Sequence, residues 1–75
     1  MSDLELLDLA RPLAPAGAEL ALLNYEPFHE RDTHVAAVHV VTPRGGVLRP
    51  LAEATGRTAG EAERRLATLL REMAA

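Results

Sequence analysis

His29, Asp32 and His34 lie in the run His29-Glu30-Arg31-Asp32-Thr33-His34, an H-x-x-D-x-H spacing. On a loop, side chains of these types could converge on a divalent metal. Spacing does not constrain loop geometry, however. A polar, solvated hairpin loop is therefore the expected reading, and no metal ligand is assigned. His39 is an odd number of residues from His34, so on a strand it would point to the opposite face. It is read as a hydrogen-bonded, partly buried histidine rather than a catalytic one. Cysteine is absent, which excludes thiol nucleophiles, iron–sulfur clusters and all-cysteine zinc sites. Ser2 is the single serine; its place at the start of a helix suits a cap better than a nucleophile. Glu53, Glu61, Glu63 and Glu72 fall on segments read as helical and are expected to be solvated. Gly45-Gly46 lacks the spacing of a phosphate-binding loop. No catalytic residue and no cofactor-binding residue is assigned. The expectation is a protein without cofactor and without enzymatic activity.

The elements that must position these residues are few. Seventy-five residues suffice for one domain, and cutting the chain would leave pieces too short to bury a core. The hydrophobic fraction of 48% suits a globular chain rather than a disordered one. No apolar run approaches the roughly 18–20 residues that span a bilayer, so no membrane partner is expected. The acidic start MSDLELLDLARPLAPAG is unlike a secretory signal, and a cytoplasmic location is the expectation. All eight basic residues are arginine, and lysine, isoleucine and glutamine are missing, a composition that looks like codon bias in a GC-rich bacterial genome.

A first helix is expected from Ser2, where Ser2-Asp3-Leu4-Glu5 fits a capping box. Leu6, Leu9, Ala10 and Leu13 follow at helical spacing. Pro12 should end this helix near Ala10. The clearest strand is Thr33 to Thr42, with Val35, Ala37 and Val41 on one face and Ala36, Val38 and Val40 on the other. Both faces want cover. The strand is paired antiparallel with Ala18 to Tyr25 through the loop Glu26 to Asp32. After the turn Pro43-Arg44-Gly45-Gly46, the segment Val47 to Thr55 is a short helix or a third strand. The short helix is favoured, because Pro50 cannot donate to a ladder and Gly56 would serve as a C-cap. Thr58-Ala59-Gly60-Glu61 is a second capping box. It opens a helix with Ala62, Leu66, Leu69, Leu70 and Met73 on its apolar face and a Glu61–Arg65 pair on its wet side. The fold class is thus α+β: N-terminal helix, antiparallel β-hairpin, short helix or third strand, and C-terminal amphipathic helix.

The formal net charge is −3, which offers no broad attraction to nucleic acid. The arginines nonetheless concentrate beyond Asp32. Leu48 to Leu70 resembles the helical part of ribbon-helix-helix repressors, through Ala52, Thr55, Gly56, Arg57, Thr58, Glu61 and Arg64. The same stretch is similar to winged-helix regulators, through Leu51-Ala52, Gly56, Thr58, Leu66 and Leu69. The order of strands, G-R-T-A-G-E-A and a helix also looks like antitoxin domains of the HicB type, a three-stranded meander with one helix, which requires 47–55 to be a strand. These resemblances imply a dimeric nucleic-acid-binding regulator with Arg44, Arg49, Arg57, Arg64 and Arg65 as contact residues. That reading is the alternative.

The leading expectation rests on physics rather than likeness. A lone hairpin is marginal in water, and an uncovered strand edge offers unpaired backbone groups to a partner. Completing a larger sheet in a homodimer answers both, and two-fold dimers are the commonest oligomers. The expected function is a non-catalytic protein-interaction module that homodimerises through its strand or its C-terminal helix, with Val35, Val38, Val40, Leu66 and Leu70 at the interface.

Overall fold

The computed structural model describes residues 2–75. The first helix, α1, spans Asp3–Ala10 and a 3₁₀ turn at Arg11–Leu13 extends it. Ser2 caps it as the box requires, its hydroxyl accepting from the Glu5 N–H at 3.3 Å. Pro12 converts the helix to the tighter turn rather than ending it outright, since the first residues of a helical turn need no donor. Three strands follow: β1 at Glu19–Tyr25, β2 at His34–Val41 and β3 at Val47–Gly56. The last helix, α2, spans Ala59–Ala74.

The strands form one antiparallel sheet in the order β1-β2-β3. β1 and β2 pair without interruption, from Glu19 opposite Val41 to Tyr25 opposite Val35. This is the hairpin expected from the valine-rich run. β3 corrects the short helix favoured for Val47 to Thr55. Pro50 stands opposite His39, and the ladder shifts register on both sides of that pair. A proline is tolerated in a strand at such a bulge and on an edge, where its missing N–H breaks no continuous ladder. Gly56 ends this strand instead of capping a helix. A Cβ there would approach the Ala62 nitrogen to 2.6 Å, so glycine is required for β3 to run directly under the start of α2. Glu53, expected on a helix, pairs with Ala37 on the strand.

Both helices lie on one face of the sheet. Leu6 and Ala10 of α1 and Ala62, Leu66, Ala67 and Leu70 of α2 form one buried cluster with Ala36, Val38 and Ala52. Leu20 and Leu22 of β1 pack against it. Each fully buried Leu or Val contributes about 1.5–3 kcal/mol, and Leu6, Leu66, Leu70 and Val38 are the largest of these. Small residues at Ala36, Ala52, Ala62 and Ala67 let α2 sit close to the strands. The opposite face, which carries Ala21, Leu23 and Tyr25 of β1 and Val35 and Ala37 of β2 by the strand register, receives no helix. One of the two apolar faces of β2 thus has no helix packed on it, although Val35 and Ala37 there are themselves buried.

Candidate interaction surfaces

The sheet has two outer edges, and they differ. β3 carries Pro50 and the bulged register along its length, features that blunt an edge against further pairing. β1 has neither: it is seven residues long and pairs with β2 in unbroken register. Among the described residues, no backbone group of 19–25 is hydrogen-bonded to backbone outside the sheet. Every second residue of β1 therefore turns its N–H and C=O outward with no strand to receive them.

Of the five large exposed apolar side chains among the described residues, Leu4 and Met73 lie on the helices and three lie on or just after the same strand. Leu23 and Tyr25, on the side of the sheet without helices, are 38% and 48% exposed, and Phe28 in the following loop is 94% exposed. Tyr25 and Phe28 are the chain's only aromatic residues. Aromatic side chains normally dominate cores; here the core is built of Ala, Leu and Val and both aromatics face solvent. The ring of Phe28 meets His29 edge-on, with centroids 4.9 Å apart. Asn24, alternating to the helix side, donates from Nδ2 to Glu63 Oε1 at 2.9 Å and so ties β1 to α2.

The residues expected at a dimer interface are placed differently. Val38, Leu66 and Leu70 are fully buried in the chain's own core and have no surface to give a partner. This corrects the expectation for those three: the apolar stripe of α2 is spent on the chain's own core from Ala62 to Leu70, and Met73 at its end is exposed. Val40 is partly buried opposite Leu20 on the helix side, and Val35 is buried on the open face. The signal that sequence reading passed over was the pair of aromatics flanking the hairpin loop.

The histidines do not gather. His34 Nε2 lies 3.3 Å from Glu26 Oε1, and His29 is engaged with Phe28. Among the described residues, no three His, Cys, Asp or Glu side chains stand close enough to share a metal ion.

The arginines fall into two groups. Arg44 lies in the β2–β3 turn and Arg49 near the start of β3, whereas Arg57 lies in the β3–α2 joint and Arg64 and Arg65 in the N-terminal half of α2. Along β3 the eight steps from Arg49 to Arg57 span roughly 26 Å. At the α2 end a cleft of about 800 Å³ opens between the β1–β2 loop and the β3–α2 joint. Arg31, Asp32 and Thr33 form one wall, and Arg57, Glu61 and Arg65 the other. Arg65 is held in place, Nη2 at 3.0 Å from Glu61 Oε1 and Nη1 donating to the Thr55 carbonyl at 3.2 Å.

No helix of the described residues is long and apolar enough to cross a membrane. Comparison with family models, with curated proteins and with solved structures finds no match for this chain.

Proposed function

We propose that the chain is a non-catalytic interaction module that homodimerises by pairing β1 with β1 of a second copy. The observation that carries this reading is the unbulged, proline-free outer edge of β1 beside the exposed Leu23 and Tyr25. A two-fold axis at Leu22 sets Ala21 against the partner's Leu23 and Glu19 against the partner's Tyr25. No like charges then oppose each other across the seam. The result is one six-stranded sheet with all four helices on one side.

The surface area supports the same reading. The chain exposes 5193 Å², against about 4,500 Å² for a typical monomer of its 8.1 kDa. The excess approaches the ~800 Å² that each partner buries in an interface of standard size. The test is solution mass by light scattering at micromolar concentration, on the chain and on Leu23→Lys. The chain should run as a dimer. Leu23→Lys should run as a folded monomer, because charges on an edge strand oppose pairing. A monomeric wild-type chain overturns the proposal.

A second reading is a dimeric nucleic-acid-binding regulator or antitoxin-like protein. It is favoured by Arg57, Arg64 and Arg65 lying together at one end, and by a meander followed by a helix, the arrangement that the HicB-type resemblance implies. Binding of duplex DNA should then fall steeply with salt and weaken in Arg57→Ala/Arg64→Ala. A module that binds only protein should be indifferent to both.

A further inference from the structure

The cleft between the β1–β2 loop and the β3–α2 joint has a charge balance unlike that of the whole chain. Its wall residues comprise three arginines, Asp32 and Glu61. Arg65 and Glu61 neutralise one another at 3.0 Å. Among the described residues, no acceptor is bonded to the side chains of Arg31 and Arg57. Two unmatched guanidiniums therefore face one carboxylate, in a protein whose formal net charge is −3.

The loop that presents Arg31 is held in shape. Thr33 Oγ1 donates to the Arg31 carbonyl at 3.2 Å. Between them, Asp32 adopts a left-handed backbone with φ 54, a conformation that aspartate tolerates better than most residues. On the facing wall, the bond from Arg65 to Thr55 fixes the start of α2 against β3. Arg31 and Arg57 are thus long donors mounted on two constrained backbones across a shared space.

We infer that this cleft binds a phosphomonoester group carried by a small molecule. A carboxylate, with one charge, gains from the two arginines but is opposed by Asp32. A phosphomonoester carries about −1.5 to −2 at neutral pH and three acceptor oxygens, so two guanidiniums outmatch the single aspartate. The volume of about 800 Å³ lies within the range of small-molecule sites and leaves room for more than a bare ion. An extended polyanion is less suited. Arg44 and Arg49 sit at the far end of β3, roughly 26 Å away, and seven acids precede Thr33.

The site is independent of the β1 pairing, so mass and ligand measurements fail separately. The test is amide chemical-shift titration of the whole chain with inorganic phosphate, a nucleoside 5′-monophosphate, the unphosphorylated nucleoside and a short DNA duplex. Saturable shifts confined to residues 31–33 and 55–61 are expected with phosphate and the monophosphate, and none with the nucleoside. Arg31→Gln/Arg57→Gln should raise the dissociation constant roughly tenfold or more, whereas Arg44→Gln/Arg49→Gln should leave it unchanged. All four side chains are exposed, so these variants should fold, which the same spectra report. Shifts that do not saturate, or that persist in Arg31→Gln/Arg57→Gln, overturn the proposal. So does tighter binding of the duplex that Arg44→Gln/Arg49→Gln weakens equally, which would make the surface a nucleic-acid track.

Discussion

Asn24 Nδ2 and Glu63 Oε1 meet at 2.9 Å across 39 residues of sequence, joining the edge strand β1 to the outer turn of α2. Asn24 reaches toward the helix, so strand alternation turns its neighbours Leu23 and Tyr25 to the other face. One bond between side chains thus helps decide which face of the edge strand is left for a partner. Asn24→Ala should destabilise the fold by about 0.5–1 kcal/mol, since the bond is exposed and charge-assisted. A double-mutant cycle with Glu63→Ala in urea should return a coupling of similar size; additive single effects would mean that the contact carries no energy.

Gly56 should not accept a side chain. An added Cβ would lie 2.6 Å from the Ala62 nitrogen and 2.9 Å from Glu61 Cβ, and the backbone atom cannot move without shifting the start of α2. Gly56→Ala should cost about 1–3 kcal/mol, seen as a lower urea midpoint at unchanged slope.

Leu66→Ala distinguishes a core position from an interface position. Emptying this fully buried site should cost about 2–5 kcal/mol, a large share of the roughly 4–11 kcal/mol available to a chain of this length. Urea unfolding followed by circular dichroism should show a markedly lower midpoint. A folded monomer with an unchanged midpoint would instead return Leu66 to the interface.

Local signals in this sequence are legible and long-range ones are not. The capping boxes at Ser2 and Thr58 were legible because each is a local event within four residues, and both hydroxyls accept the expected N–H. β2 was legible because valines crowd it. β3 was not. Pro50 argues against a strand locally, and only the bulge opposite His39, formed by a distant segment, makes it acceptable. The apolar stripe of α2 was read correctly as a stripe, but periodicity says only that a face is covered. Whether the cover is the chain's own sheet or a second copy is a tertiary fact, and it moved Val38, Leu66 and Leu70 into the core. The arginines read as one cluster along the sequence and separate once β3 runs straight between them.

Pro50 also bears on assembly. Pro50→Thr supplies the missing donor on β3 and removes a feature that blunts this edge. Species larger than a dimer should then appear with rising concentration in sedimentation velocity, because both edges of each sheet could pair. Unchanged sedimentation would mean that the bulge alone, without the proline, keeps β3 closed.

The pairing of β1 is tested most directly by hydrogen exchange on the amides of 19–25, compared in dilute and concentrated samples. If β1 pairs with its copy, alternate amides, those turned away from β2, should be slow to exchange in the concentrated sample and fast on dilution. Amides turned toward β2 should be protected in both. Outward amides that exchange rapidly at every concentration, in a sample whose mass shows a dimer, would contradict β1 pairing and place the interface on another surface.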